Sequence, residues 1–171
     1  MKMLMVSVLL LCAMMPLIRA AALQDAEVKE EHKARIVKRS TCPSGWVAYS
    51  GRCFTYFPRQ MSWAKAEKNC QSMGGNLASV HNVQEYHEIQ RLIVSITYDY
   101  KPTWIGGSDA QEEGVWLWSD GTLFQYKNWC PGEPNNYHSQ HCTQMNFGAT
   151  KCWDDLSCGA HLPSVCAKML R

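Results

Sequence analysis

The chain has 171 residues, 46% of them hydrophobic, and its 17 Lys and Arg nearly balance its 15 Asp and Glu, giving a formal net charge of +2. Over residues 40–171 the balance reverses to ten basic and eleven acidic side chains. This composition excludes the basic footprint of a nucleic-acid binder, and the length of that stretch suits one domain with a sizeable core.

The first 22 residues have the pattern of a secretory signal peptide. Lys2 precedes an apolar run, Met3–Ile18, and the small residues Ala20 and Ala22 are spaced as signal peptidase prefers. The run is shorter than the roughly 20 apolar residues that a bilayer requires, so a membrane anchor is the weaker interpretation. We therefore expect a secreted, extracellular protein without a membrane span.

Residues 23–39 form a charged segment that cannot bury enough apolar surface to order itself. The segment ends in Lys38-Arg39, a dibasic pair of the kind that processing proteases cut. We predict a propeptide or a flexible tail over residues 23–39 and one domain over residues 40–171.

Eight cysteines follow Cys12 of the signal segment, and an even number in a secreted chain predicts a framework of four disulfides. Eight cysteines allow on the order of a hundred pairings, so their spacing alone does not choose among them. A zinc site is the weaker interpretation because no C-x-x-C pair occurs.

The sequence pattern in the first part of the domain predicts a hairpin and two helices. The hairpin is expected over residues 42–57 around a Ser50-Gly51 turn signal. The first helix is expected after Ser62 as its N-cap and before Gly74-Gly75, with an apolar face of Trp63, Ala66 and Cys70. The second is expected to begin at Asn82, with Glu85 at its third position and helical spacing of Tyr86, Ile89, Ile93 and Ile96.

From Thr103 onward the pattern changes to short aromatic strands and turns. Strands are predicted around Trp104–Gly107 and Val115–Trp118, and a last strand over Ser164–Lys168. The stretch from Phe124 to Trp153 is dense in Pro, Gly, Asn and Cys and is too polar for a core, which is typical of a long functional loop.

Several motifs together resemble the C-type lectin-like domain: Trp104-Ile105-Gly106-Gly107, Glu133-Pro134-Asn135, Cys152-Trp153-Asp154-Asp155 and the cysteine series. The likeness covers Cys42–Lys168 and, within that family, is greatest to fish secreted lectins and type II antifreeze proteins. It implies an α+β fold with two helices, antiparallel sheets and a long calcium-binding loop. The disulfides that it implies are Cys42–Cys53, Cys70–Cys166, Cys130–Cys152 and Cys142–Cys158.

The resemblance also implies a Ca²⁺ site and a cis peptide bond between Glu133 and Pro134. Two positions depart from the family pattern, because Gln140 stands where a Glu is usual and Asp154 where an Asn is usual. The set keeps the three negative charges of the family set, and calcium affinity follows charge count. The expected ligands are Glu133, Asn135, Gln140, Asp154 and Asp155.

In the family two sugar hydroxyls complete the calcium shell. Glu133 and Asn135 would hydrogen-bond one hydroxyl, and Gln140 and Asp154 would hydrogen-bond the other. In the second pair the hydrogen-bond donor and acceptor are exchanged relative to the family pattern. Glu-Pro-Asn implies mannose-type sugars, but the exchange could mimic the galactose order, so both types stay open.

Rings and histidines near the expected site have two interpretations. Tyr137, Trp129 and Phe147 could stack on a sugar face, although packing within the loop is the commoner role of such rings. His138 and His141 could make binding pH-dependent, although simple exposure is commoner.

The sequence thus predicts a secreted, calcium-dependent lectin with glycans as partners and a role in innate immune recognition. A non-covalent homo-oligomer stays open, since no cysteine is spare. The alternatives are an ice-binding antifreeze protein, against which the bulky loop residues Tyr137 and His138 argue, and a calcium-independent interaction module. No enzyme is expected, because neither Gly-x-Ser-x-Gly nor His-Glu-x-x-His occurs.

Overall fold

The computed structural model describes residues 23–24, 27–29 and 41–170 of the chain. The predicted signal peptide and most of the segment over residues 23–39 lie outside these described residues. Among the helices that the structure describes, none is both long and apolar enough to cross a membrane.

Residues Cys42–Leu170 form one compact unit. Its elements are, in chain order, β1 (Val47–Tyr49), β2 (Arg52–Met61), α1 (Trp63–Ser72), β3 (Asn76–Leu77), α2 (Val83–Thr97), β4 (Thr103–Ser108), β5 (Leu117–Trp118), β6 (Cys142–Phe147), β7 (Cys152–Leu156) and β8 (Leu162–Met169). The predicted hairpin, both helices and the last strand are therefore confirmed, whereas the strand predicted over Val115–Trp118 is limited to its second half.

The strands form one sheet in the order β1-β2-β8-β4-β6-β7, with β3 on β8 and β5 on β4. Most neighbours are antiparallel, as expected, but β4 and β8 are parallel and pair at Trp104 and Ser164. No tight turn joins these two strands, so no local signal in the sequence sets their relative direction. Gly107 lets β4 approach β6 closely, because a Cβ atom there would clash with Thr143 Oγ1.

The two helices bury most of the residues predicted for their apolar faces, and two details of the prediction are wrong. Ser62 occupies the N-cap of α1 but its side chain makes no capping hydrogen bond, and only its carbonyl accepts a bond, from the Ala66 N–H at 2.9 Å. Ile96 in the last turn of α2 is exposed, whereas Tyr86, Ile89 and Ile93 are buried. Asn82 caps α2 as predicted, since its Oδ1 accepts a hydrogen bond from Glu85 N at 2.8 Å.

All four disulfides that the resemblance implies are present. Cys70–Cys166 ties α1 to β8 across a separation of 96 residues. In the chain-entropy account, closing a loop of that size stabilises the fold by about 4.7 kcal/mol.

The stretch from Phe124 to Trp153 is more ordered than its composition indicates. It contains β6, whose residues Cys142–Asn146 are buried, and the expectation that the whole stretch is too polar for a core is wrong. The polar side chains of β6 are buried because the strand lies inside the sheet, between β4 and β7. The long irregular part of this stretch therefore precedes β6.

Candidate functional site

The site lies where β7 passes the loop that precedes β6. Trp153 of β7 is fully buried, and five aromatic rings meet it edge-on. The nearest are those of Tyr126 at 5.6 Å and of Trp118 and Trp129 at 5.7 Å. The next two residues, Asp154 and Asp155, are 4% and 0% exposed. Strand pairing and aromatic packing thus hold two adjacent carboxylates at a buried position.

The loop is fixed to β7 by a disulfide and by backbone hydrogen bonds. Cys130 is bonded to Cys152; its N–H donates to the carbonyl of Trp153 at 2.8 Å, and the N–H of Trp153 donates to the carbonyl of Asn128 at 2.7 Å. These contacts bring the following residues, Glu133-Pro134-Asn135, onto the two aspartates. The Glu133-Pro134 bond is cis, as the resemblance implies.

The side chain of Asp155 holds the loop by accepting hydrogen bonds from the loop's backbone N–H groups. Its Oδ1 accepts a hydrogen bond from Asn135 N at 2.9 Å, and its Oδ2 accepts one from Asn136 N at 2.7 Å. Both carboxylate oxygens therefore fix the residues that follow Pro134.

Glu133, Asp154 and Asp155 form a carboxylate cluster in which one oxygen from each side chain lies within 4.8 Å of the others. In the part of the chain that the structure describes, none of the three forms an ion pair with Lys, Arg or His. Glu133 Oε2 is buried and, among the described residues, has no hydrogen-bond partner. An orphaned carboxylate oxygen beside two buried aspartates is a position that a cation or a proton would stabilise.

The electrostatics of the cluster agree with its geometry. Burial and the nearby carboxylates of Asp155 and Asp154 raise the pKa of Glu133 to about 7, against a smaller lowering by Asn135. Burial also raises the pKa of Asp154, together with the charge of Asp155 and against the hydrogen bond from Gln144. The cluster holds more negative charge than its surroundings compensate.

Of the remaining expected site residues, Asn135 and Tyr137 follow Glu133 on the loop beside this cluster, and Gln140 lies further along the same loop. Asn135 Oδ1 accepts a hydrogen bond from Tyr137 N at 2.7 Å and so closes the turn after the cis proline. The half-buried Gln140 makes no side-chain hydrogen bond with any residue that the structure describes. The ring of Tyr137 is 67% exposed and meets the ring of His138 at 4.0 Å.

The other two rings considered for stacking differ from Tyr137. Trp129 is half-buried and packs against Trp116 at 4.6 Å and against Trp153, so loop packing is its role. Phe147, at the end of β6, is 38% exposed. Tyr137 is therefore the more accessible ring in the loop itself.

A second group near the loop was missed by the sequence reasoning. His141 Nδ1 lies 3.0 Å from Asp109 Oδ1 and 3.4 Å from Glu113 Oε2, and Asn136 Nδ2 donates to Glu113 Oε2 at 2.6 Å. Since His141 is paired in this way, simple exposure does not describe it. Asp109 directly follows β4, which is a usable signal, but the sequence does not show that β4 ends beside residue 141.

These features, a four-disulfide α+β domain with a mixed sheet and a loop whose Glu133 meets two aspartates of the penultimate strand, define a C-type lectin-like domain. The family profile "Lectin C-type domain" matches residues 59–168. The chain belongs to the C-type lectin domain family.

Relatives in this family differ in what their names describe. The chain is 41% identical over 168 residues to a type-2 ice-structuring protein of Brachyopsis segaliensis, covering 94% of this chain and 95% of the relative. It is 42% identical over 140 residues to the galactose-specific lectin nattectin of Thalassophryne nattereri, covering 80% and 87%.

Solved structures of related antifreeze proteins differ in calcium dependence. A Ca²⁺-dependent type II antifreeze protein in its Ca²⁺-free form superposes with a TM-score of 0.70 at 36% identity, over 75% of this chain and 100% of that chain. A calcium-independent type II antifreeze protein superposes with a TM-score of 0.70 at 41% identity, over 77% and 96%. Family membership therefore leaves calcium dependence to be argued from this chain's own residues.

Proposed function

We propose that this protein is a secreted, calcium-dependent lectin that binds carbohydrate at the carboxylate cluster and the loop beside it. The proposal is carried by the carboxylate cluster, in which one oxygen each of Glu133, Asp154 and Asp155 lies within 4.8 Å of the others, and in which the buried Oε2 of Glu133 has no hydrogen-bond partner among the described residues. Calcium prefers six to eight oxygen ligands, a requirement that carboxylates and amide oxygens meet.

The donor set fits calcium better than a transition metal. Glu133, Asp154 and Asp155 offer hard carboxylate oxygens, and the eight cysteines of the domain are consumed in disulfides. Soft metals select sulfur or imidazole ligands, whereas calcium selects oxygen. The hydrogen bonds that Asp155 accepts leave acceptor capacity on its oxygens, since an ionised carboxylate has about four acceptor sites.

Asn135 and Gln140 would complete the protein ligands. The amide oxygen of Asn135 accepts one hydrogen bond and keeps a second lone pair. Gln140 has no competing hydrogen bond among the described residues, so little is lost if its side chain turns toward the ion.

The ligand is a sugar with two adjacent hydroxyls, of the mannose or galactose type. When bound, calcium supplies direct coordination to those hydroxyls. Glu133 and Asp154 would accept hydrogen bonds from the two hydroxyls, and the amides of Asn135 and Gln140 would donate to them. Tyr137, with its 67% exposed ring, would cover the apolar face of the sugar.

The biological setting belongs to the same proposal. A cleaved signal peptide over residues 1–22 would deliver the protein to the extracellular space, where innate immune recognition of glycans is the proposed role. Non-covalent association into oligomers would raise the overall affinity for glycans by multivalency.

A glycan array probed with the purified protein, in calcium and again in EDTA, tests the proposal. We expect capture of mannose- or galactose-terminated glycans in calcium and its loss in EDTA. Capture that persists in EDTA, or no capture in either buffer, would reject the calcium-dependent mechanism.

Ice binding is the second candidate, favoured by 41% identity to an ice-structuring protein over 94% of the chain. Ice-crystal growth in dilute protein solution, with and without EDTA, distinguishes it from the lectin function. Thermal hysteresis together with an empty glycan array would favour ice binding. If both assays are empty, a calcium-independent interaction module becomes the better description.

A further inference from the structure

Gln144 on β6 is hydrogen-bonded to one of the proposed calcium ligands. Its Nε2 donates to Asp154 Oδ2 at 2.6 Å, and the two residues are direct partners in the β6–β7 ladder. Both are buried, Gln144 with 6% and Asp154 with 4% of their surface exposed. Solvent therefore competes little for this bond.

The bond is specific to one carboxylate of the cluster. Among the described side chains, Asp154 receives its donated hydrogen bond from Gln144, whereas Asp155 is held by the N–H groups of Asn135 and Asn136. Each aspartate thus has its own donor, and that of Asp154 is a side chain that substitution can remove. A buried carboxylate without such a donor would lose its fixed orientation and a favourable dipole.

We infer that Gln144 is a positioning residue of the calcium site, which orients Asp154 for the ion and thereby sets calcium affinity. The inference rests on the proposed function. Groups that hydrogen-bond to metal ligands restrict their rotation and tune their basicity, and their removal typically weakens metal binding by roughly 10- to 100-fold. Gln144 touches neither sugar nor ion and acts through Asp154.

The chain offers a matched control in Gln90 of α2. It is also a buried glutamine, 7% exposed, and its Nε2 donates to Asn146 Oδ1 at 2.9 Å. Replacing Gln90 by Met removes a buried amide bonded to β6 without touching Asp154.

Two quantities are measured for the parent, Gln144→Met and Gln90→Met. One is the calcium dissociation constant, from calorimetric titration, and the other is the melting temperature in EDTA. We expect both variants to melt at a lower temperature than the parent, and only Gln144→Met to bind calcium roughly 10- to 100-fold more weakly. Equal affinities in parent and Gln144→Met, or equal losses in both variants, would overturn the inference and leave the proposed function intact. Absence of calcium binding by the parent protein would overturn both.

A double-mutant cycle isolates the route through Asp154. Asp154→Ala is expected to weaken calcium binding, and adding Gln144→Met to it should cause no further loss. The same fold-loss in both backgrounds would show that Gln144 acts independently of Asp154, against the inference. Should Gln144→Met not fold, Gln144→Asn, which keeps the amide but shortens its reach, replaces it in the cycle with the same expected order of affinities.

Discussion

Asp155 and Asn135 are joined by a hydrogen bond of 2.9 Å from the backbone N–H of Asn135 to Oδ1 of a fully buried carboxylate. The other oxygen of Asp155 accepts from Asn136 N. One side chain thus organises the loop and contributes charge to the carboxylate cluster.

Replacing Asp155 by Ala should remove both effects. We expect no measurable calcium binding and a loss of roughly 1–3 kcal/mol in the free energy of unfolding in EDTA, because two backbone donors lose their acceptor. Urea denaturation in EDTA and calorimetric titration with calcium measure the two quantities. Calcium binding of parental strength would show that Asp155 is not a ligand.

Replacing Glu133 by Gln should change stability in opposite directions with and without calcium. In EDTA the variant should be more stable than the parent by about 1 kcal/mol at pH 8, because a repelling charge is removed from a partly solvated cluster. In calcium it should be less stable, since a ligand charge is lost. Melting curves in both buffers check this.

Glu88→Gln serves as the control for Glu133→Gln. Glu88 lies on α2 and pairs with Arg91 at 2.6 Å, away from the cluster. Its replacement should shift the melting temperature equally in the two buffers. A Glu133→Gln shift of one sign in both buffers would contradict the repulsion argument.

Asp120 should give the fold an acid-sensitive component. Burial raises the pKa of Asp120, but hydrogen bonds from Ser79 and Thr122 and the charge of Arg52 outweigh burial and hold that pKa below the ordinary value of 3.8. The ionised carboxylate of Asp120 therefore stabilises the folded state above pH 3.8, and this stabilisation is lost as the pH falls through the lower folded-state pKa of Asp120.

Asp120→Asn should accordingly cost about 1 kcal/mol at pH 7, and the cost should fall below pH 4. Chemical denaturation of both proteins between pH 2.5 and pH 7 measures the difference. A difference that does not change with pH would refute the assignment.

Tyr137→Ala should weaken sugar binding and leave calcium binding unchanged. Loss of one aromatic contact costs about 0.5–1.5 kcal/mol, or roughly two- to tenfold in affinity. Tyr98→Ala, at a tyrosine 90% exposed after the end of α2, is the control and should leave both affinities unchanged. Sugar titrations at saturating calcium distinguish the variants; equal sugar affinity in both would remove Tyr137 from the site.

Local signals in the sequence predicted most of the fold. Asn82 with Glu85 placed the start of α2 because a cap and an apolar face are both encoded within a few neighbouring residues. The strand β6 was missed because Thr143, Gln144 and Asn146 are polar and become buried only through pairing with distant strands. Tertiary context thus overrides local pattern.

The sequence also predicted some residues of the candidate site and missed others. Glu133, Asp154 and Asp155 meet and were named from short motifs. Gln144, Asp109 and Glu113 were not, since their partners are set by strand register and by a loop that returns 32 residues later to His141. Sequence alone carries the residue types of such contacts but not their pairing.

Calorimetric titration of calcium into the purified, EDTA-treated protein measures whether the carboxylate cluster binds the ion. We expect a saturable heat and a melting temperature that rises with calcium concentration, because the ion would bind the folded cluster and not the unfolded chain. A titration without saturable heat, together with a melting temperature that does not change with calcium concentration, would show that the cluster does not bind calcium.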